Sequence, residues 1–226
     1  MVFSENAKLL GKDHLEVIAE SCFLVVGLGG LGGYIANALT RLGAKQLVLV
    51  DFDHFQESNL NRQLFSSRET LNRPKVEVVK EMLLQINPNL EVTALQGNIQ
   101  DYSDHRRVVK ATLVFDAVDN IKTRLWLESF AEMQKVPLVH GAIGGWYGQV
   151  GFLMPGSKLL KTLYGTKERG IEKTLGSPTF IPPIIANMMV NEAVKWLHNI
   201  EGLLLNKLLF IDIKNHDYQI LLDHTK

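Results

Sequence analysis

Cysteine is nearly absent from this sequence, since Cys22 is the only one among 226 residues. A disulfide framework within the chain and a zinc site built from four cysteines are therefore excluded. So little cysteine is typical of a reducing compartment, and we expect the protein to be cytoplasmic. Cys22 comes directly before an apolar run, which favours a small buried side chain over a nucleophile.

The chain also lacks an excess of one charge and a long apolar run. Its 24 lysines and arginines equal its 24 aspartates and glutamates, so no broad basic surface points to nucleic acid. It contains no run of about 18 apolar residues, so no membrane-spanning helix is expected. Residues 1–20 carry charges throughout and lack the apolar centre of a signal peptide.

What the sequence does contain is an alternation of apolar runs and helical patterns. An apolar run at residues 23–26 leads into a glycine-rich turn, a helical pattern at 35–42 and a second apolar run at 47–50. This order predicts a right-handed βαβ unit, and unbroken apolar runs are typical of parallel strands buried on both faces. We therefore predict an α/β fold with a doubly wound, Rossmann-like, mostly parallel sheet and antiparallel C-terminal strands.

Several local signals mark loops and the ends of elements. Asp13 is predicted to cap an N-terminal helix, Pro74 to lie in the first turn of another, and a further helix to end at 108–110. Residues 55–71 are predicted to form a long functional loop with one helical turn, and residues 156–178 a mobile crossover loop. The remaining strands are expected at residues 91–96, 113–115, 136–139 and 148–154, with a hairpin at 208–222.

The glycine-rich turn has the spacing of a nucleotide cradle. Gly27, Gly29 and Gly32 form a G-x-G-x-x-G pattern between a strand and a helix. Such glycines let the backbone approach phosphate or ribose, and the helix N-terminus favours negative charge. Asp51 ends the second strand, where a carboxylate can accept both ribose hydroxyls. The alternative is a tight turn without a ligand, and Asp53 is either a supporting group or a loop cap.

Two cations and a second carboxylate separate a triphosphate site from a nicotinamide site. Lys75 stands at a helix start, where the dipole disfavours a cation unless it faces phosphates, and Arg62 follows in a polar segment at 58–63. Each could be an ordinary surface cation. Asp119 follows the third buried strand and could hold Mg²⁺ or cap the next helix. His140 is a weaker candidate for the same crevice, with no evident partner.

Together these motifs resemble the ThiF/MoeB/HesA family, the bacterial relatives of ubiquitin-activating enzymes. The resemblance covers about residues 9–222 and implies one adenylation domain over 1–226, with an N-terminal helical segment at 1–20 and a crossover loop at 156–178. The stretches that carry it are residues 25–32, 51–53, 58–63, 74–75, 86–88 and 119–120.

The resemblance implies an ATP-dependent adenylyltransferase. It would activate the C-terminal Gly-Gly carboxylate of a small ubiquitin-like sulfur-carrier protein of the ThiS/MoaD type, releasing pyrophosphate, in thiamine or molybdopterin biosynthesis. The implied catalytic residues are Arg62 and Lys75, which neutralise the phosphates, and Asp119, which holds Mg²⁺. The implied nucleotide-binding set adds Gly27, Gly29, Gly30, Gly32, Asp51, Asp53, Ser58, Asn59, Leu60, Asn61, Gln63 and Asn120.

The sequence departs from the family pattern at three points. It has no Cys-x-x-Cys pairs, so no zinc is expected, and no cysteine in 156–178, which leaves a thioester or persulfide step without its usual residue. Residues 1–20 contain no arginine for a partner subunit's ATP, so in the expected homodimer this contact is either missing or replaced by Lys8 or Lys12. Activation of another carboxylate, a scaffold without catalysis and an NAD-dependent oxidoreductase are the alternatives.

Overall fold

The computed structural model describes residues 4–165 and 175–224 and contains one eight-stranded mixed sheet. The strand order is β3-β2-β1-β4-β5-β6-β7-β8; β1 to β5 run parallel, and β6, β7 and β8 each pair antiparallel with the preceding strand. The strands are β1 (Cys22–Val26), β2 (Gln46–Asp51), β3 (Glu91–Gln96), β4 (Leu113–Asp116), β5 (Leu138–Gly144), β6 (Tyr147–Leu153), β7 (Lys207–Asp212) and β8 (Asp217–Asp223).

Helices cover both faces of the sheet, which accounts for the unbroken apolar runs of the central strands. The helices in the described ranges are α1 (Ser4–Leu10), α2 (Lys12–Glu20), α3 (Gly32–Leu42), α4 (Lys75–Ile86), α5 (Ile121–Gln134), α6 (Leu159–Tyr164) and α7 (Ile181–Leu197). None of them is long and apolar enough to cross a membrane. Phe23 and Val25 of β1 pack with α3, α4 and α7, whereas Leu24 and Val26 point to the opposite face and pack with α5 and α6.

The topology creates a crevice at the carboxyl edge of the parallel strands. The chain leaves β1 towards β2 on one side, whereas β4 lies on the other side of β1, so the two connections diverge. In doubly wound sheets, ligands bind where the strand order reverses in this way. The predicted fold class, the βαβ unit and the C-terminal hairpin are confirmed.

Four local predictions were wrong. Asp13 lies within the first turn of α2, whose cap position is Gly11, and Pro74 is the cap residue of α4 rather than a residue of its first turn. No helix ends at 108–110; a short 3-10 turn at Ile99–Tyr102 and further turns occupy that region. The predicted crossover loop at 156–178 contains α6, and its central part, 166–174, lies outside the described residues.

Candidate functional site

A cleft of about 700 Å³ opens at the carboxyl ends of β1, β2 and β4. Its far wall comes from the end of β5 and from Gly176 and Ser177. Gly32 and Leu60 are the two residues of the predicted site that do not line it. The predicted residues that line it are Gly27, Gly29, Gly30, Asp51, Asp53, Ser58, Asn59, Asn61, Arg62, Gln63, Lys75, Asp119 and Asn120.

The glycines of the turn divide into two kinds. Gly27 has a φ of 88°, and a Cβ there would lie 2.6 Å from the carbonyl oxygen of Ala117; a Cβ on Gly32 would lie 1.8 Å from the carbonyl oxygen of Gly27. Both glycines are therefore required by the packing of the turn itself. At Gly29 and Gly30 the nearest atoms would be 3.6 Å away. These two leave the backbone open to the cleft, as a phosphate cradle requires.

Asp51 is held in place by the backbone on both sides of it. Its Oδ2 accepts the N–H of Leu28 at 2.6 Å, and its Oδ1 accepts the N–H of Asp53 at 2.7 Å. Each oxygen keeps a second lone pair, so the carboxylate can still accept two ribose hydroxyls. Burial raises the pKa of Asp51, against the opposing influence of Lys75 and of the two N–H donors.

Lys75 is a buried cation at the start of a helix. Its side chain is 6% exposed, and its Nζ lies 3.1 Å from Oδ2 of Asp53, which is half exposed. The backbone N–H of Lys75 also donates to the carbonyl oxygen of Asp53 at 3.0 Å. Asp53 is thus neither a loop cap nor a spectator: it orients Lys75 at the wall of the cleft. A buried ammonium with one carboxylate partner retains donors for a phosphate.

The polar segment at 58–63 supplies Arg62 and a buried amide. Nη1 of Arg62 donates to the carbonyl oxygen of Ser58 at 2.8 Å and to Oδ1 of Asn61 at 2.9 Å, so its remaining guanidinium N–H groups are available to the cleft. Oδ1 of Asn59 accepts the N–H of Gln56 and closes the predicted helical turn. Oε1 of Gln63 is buried and accepts no hydrogen bond within the described chain.

Asp119 does not cap the helix that follows it. Oδ1 of Asn120 accepts the N–H of Thr123 at 2.8 Å, so Asn120, and not Asp119, caps α5. The Asp119 side chain is exposed in the cleft and makes no hydrogen bond or ion pair with the described residues. An unengaged carboxylate facing a cleft lined by Arg62, Lys75 and Arg124 is a suitable ligand for Mg²⁺ bound to phosphate oxygens.

A polar cluster that was not predicted from the sequence lies beneath the cleft. Nδ1 of His140 lies 2.7 Å from Oδ2 of Asp116, so the expectation that His140 has no partner was wrong. Arg124 lines the cleft, is 2% exposed, and donates to Tyr164 at 2.9 Å. Arg124 falls at helical spacing between the buried Ile121 and Leu127. An arginine on the apolar face of a helix could therefore have indicated a buried cation from the sequence alone.

With the geometry established, the chain was compared with known proteins. The description of the ThiF family matches residues 3–226, nearly the whole chain. The chain belongs to the ThiF family. The family predicted from the sequence is confirmed, and the fold agrees with that of solved ThiF-family structures.

Three relatives illustrate the range of the family. The chain is similar to a molybdopterin-synthase adenylyltransferase of Salmonella typhimurium, with 33% identity over 80% of this chain and 75% of the relative. It is also similar to the SAMP-activating enzyme E1 of Haloferax volcanii, with 30% identity over 89% of this chain and 76% of the relative. The ATP complex of the tRNA N6-threonylcarbamoyladenosine dehydratase of E. coli superposes with a TM-score of 0.73 at 26% identity, over 86% of this chain and 93% of that chain. The enzyme class predicted from the sequence is confirmed at the level of the family.

Proposed function

We propose that this protein uses ATP to adenylate the C-terminal carboxylate of a small ubiquitin-like carrier protein that ends in Gly-Gly. A carboxylate oxygen of the carrier attacks the α-phosphorus of ATP. The new O–P bond forms as the bond to the β-phosphate oxygen breaks, and pyrophosphate leaves with the electron pair. No side-chain nucleophile is required, so the protein contributes positioning and charge stabilisation.

The residues of the cleft divide this work among them. The open backbone at Gly29 and Gly30 meets the phosphates, and Asp51 accepts the ribose hydroxyls. Lys75 and Arg62 offset the negative charge that moves onto the departing pyrophosphate. Mg²⁺, when bound, neutralises phosphate oxygens, and the carboxylate placed to hold it is Asp119.

One observation carries the choice of a triphosphate over a nicotinamide cofactor. The cleft combines a buried lysine, a second cation and the unengaged Asp119, in addition to the glycines and the ribose acid. Hydride transfer has no use for two cations and a metal-binding carboxylate beside the ribose, whereas adenylation requires both. The similarity to an adenylyltransferase and to an E1 enzyme supports the carrier as the substrate class.

Exchange of labelled pyrophosphate into ATP tests this function directly. With a Gly-Gly-tailed carrier, exchange should depend on ATP and on the carrier, and it should stop when the two terminal glycines are deleted. If exchange requires a different carboxylate compound, the substrate class is that compound and not a carrier protein. Tight ATP binding without exchange would favour a scaffold, and preference for NADH over ATP would overturn the proposal.

Arg62 provides a first variant for that assay. Arg62→Ala should slow exchange by at least about tenfold, or roughly 1.4 kcal/mol of barrier, because a donor to the transferring phosphate is lost. Arg68→Ala is the matched control, since Arg68 is exposed in the same loop and does not line the cleft. Equal rates for the two variants would contradict the role of Arg62.

We further propose that the protein acts as a homodimer in which Lys8 replaces the missing N-terminal arginine. Lys8 pairs with Glu5 at 2.7 Å, and both side chains are largely exposed. Such a pair is weak, so Lys8 can exchange Glu5 for an anion on a second copy. The side chain of Lys12, the other candidate, lies outside those described. A monomer in sedimentation at assay concentration would contradict this assembly.

A further inference from the structure

Val118, the residue directly before Asp119, is held through both its backbone N–H and its carbonyl oxygen. Oδ1 of Asp116 accepts the N–H of Val118 at 3.2 Å. The guanidinium of Arg124 donates to the carbonyl oxygen of Val118 through Nη2 at 2.7 Å and through Nε at 3.2 Å. Val118 therefore cannot rotate without breaking three hydrogen bonds. Because Val118 immediately precedes Asp119, these bonds set the direction in which the Asp119 side chain leaves the backbone.

Arg124 is itself fixed by charge and by a hydroxyl. It is 2% exposed, and its Nε lies 4.0 Å from Oδ2 of Asp116, which is fully buried. Its Nη1 donates to the hydroxyl of Tyr164 at 2.9 Å, and its guanidinium lies 5.5 Å from the centroid of that ring. A guanidinium serves Val118 and Tyr164 from different nitrogens, whereas a lysine ammonium would have to reach both acceptors from one nitrogen.

The hydroxyl of Tyr164 has a defined orientation. It accepts from Nη1 of Arg124 and from Nε2 of Gln149 at 2.7 Å, so both of its lone pairs are occupied. Its own proton can then be donated to Nε2 of His140, which lies 3.3 Å away. In that tautomer Nδ1 of His140 carries the single ring proton and donates it to Oδ2 of Asp116 at 2.7 Å. The bonds form a closed ring from Asp116 through His140, Tyr164 and Arg124 to Val118.

We propose that Arg124 is a positioning residue for Asp119 and that the hydroxyl of Tyr164 fixes Arg124 in that role. The proposal rests on the proposed function, because it takes Asp119 as the carboxylate that holds Mg²⁺ beside the phosphates. Arg124 needs no contact with the reacting atoms. It acts by keeping the unengaged carboxylate aimed into the cleft, so that metal binding does not have to order the loop first.

A double-mutant cycle on metal-dependent ATP binding tests this inference without turnover. Titration calorimetry gives the affinity for ATP with saturating Mg²⁺ and in EDTA for the wild type, Tyr164→Phe, Asp119→Asn and the double variant. Tyr164→Phe should lower the metal-dependent part of the affinity by at least about threefold, the low end of couplings within one network. The affinity in EDTA should be unchanged. In the Asp119→Asn background, Tyr164→Phe should have no further effect.

Two further variants separate positioning from general damage. Arg124→Lys keeps the charge but would have to reach both Val118 and Tyr164 from one nitrogen, so it should give the same pattern. Tyr218→Phe removes a hydroxyl from an exposed residue of β8 and should leave both affinities unchanged. Additive effects in the cycle, or equal losses in EDTA and Mg²⁺, would overturn the role of Arg124 while leaving the proposed function in place. If the wild-type protein shows no carrier-dependent pyrophosphate exchange, the proposed function is overturned instead. If ATP binding by the wild type does not depend on Mg²⁺, the role of Asp119 is overturned, and this inference with it.

Discussion

At the scale of single residues, the titration of Asp51 is the most direct link between burial and binding. Burial raises the pKa of its carboxyl, and ribose hydroxyls donate more strongly to the ionised form. As the pH falls through the raised pKa, the carboxylate is protonated and nucleoside affinity is lost. We therefore expect this loss at a higher pH than an ordinary aspartate would give.

Adenosine is the suitable probe for this pH dependence because it lacks phosphates that would titrate in the same range. Its dissociation constant, measured by calorimetry from neutral to acidic pH, should rise through the raised pKa of Asp51. Asp51→Asn should bind weakly and without that transition. A wild-type affinity that stays constant over the acidic range would show that Asp51 does not contact the ribose.

The two kinds of glycine predict two different failures. Gly32→Ala should destabilise the fold by about 2 kcal/mol or more, because its Cβ meets the backbone at Gly27. Gly29→Ala should unfold within about 1 kcal/mol of the wild type, since its Cβ has room. It should nevertheless weaken ATP binding by at least about tenfold, or roughly 1.4 kcal/mol. Urea unfolding measures the loss of stability, and calorimetry measures the loss of ATP affinity. A wild-type ATP affinity in Gly29→Ala would contradict the proposed contact between this turn and the phosphates.

Residues of this site were predictable from the sequence where the signal is local. The glycine turn, Asp51 and Lys75 each stand next to an apolar run or a helix start that fixes their place. The cap of α5 was not decided, because Asp119 and Asn120 are neighbours of similar capping ability and only the backbone geometry selects Asn120. The ring that includes His140 and Tyr164 joins four separate elements, so no local pattern contains it.

At the scale of elements, the cap of α5 should have a measurable energy. Asn120→Ala leaves the N–H of Thr123 without its acceptor and should lower the free energy of unfolding by about 1 kcal/mol. Asn120→Ser keeps a capping oxygen and should recover most of that loss. If Asn120→Ser restores stability while ATP binding stays weak, the amide also contacts the nucleotide. Urea titrations of the wild type, Asn120→Ala and Asn120→Ser measure the three free energies of unfolding. Equal values would contradict the capping role of Asn120.

The helix α6 shows why some elements cannot be predicted from the sequence. The N–H groups of its second and third residues, Leu160 and Lys161, donate to the carboxylate of Glu128, at 2.7 and 3.0 Å. Glu128 lies on α5, so the cap comes from a distant part of the chain. The error at 108–110 has a similar origin, because Val108 is buried by tertiary packing without being helical. Long helices with a periodic apolar pattern and apolar strands could be predicted without knowledge of these tertiary contacts.

At the scale of the whole molecule, the position of Cys22 excludes it from chemistry in the cleft. Cys22 begins β1, whereas the cleft lies at the carboxyl end of that strand, roughly 13 Å further along at the rise of an extended chain. The thiol is buried, and burial raises its pKa, which disfavours the reactive thiolate. A thiol that reacts with an adenylate made in the cleft would therefore be one other than that of Cys22, the single cysteine of the sequence.

This placement predicts the fate of the activated carrier. Incubation with ATP and carrier should give an adenylate that hydroxylamine traps, and no thioester-linked band between the two proteins on a non-reducing gel. Cys22→Ala should retain the wild-type rate of pyrophosphate exchange. A covalent complex that disappears in Cys22→Ala would show that the thiol reaches the cleft after all.

The order of strands also has a consequence for how such a protein can change over evolutionary time. The residues proposed to bind the nucleotide lie between Gly27 and Asn120. The opposite wall of the cleft comes from the end of β5 and from Gly176 and Ser177, ahead of α7. Mutations in this wall can alter which molecule reaches the cleft without altering the phosphate turn. The phosphate-binding turn can thus stay the same during evolution while the substrate that reaches the cleft changes. Relatives whose names refer to different substrates are consistent with this division.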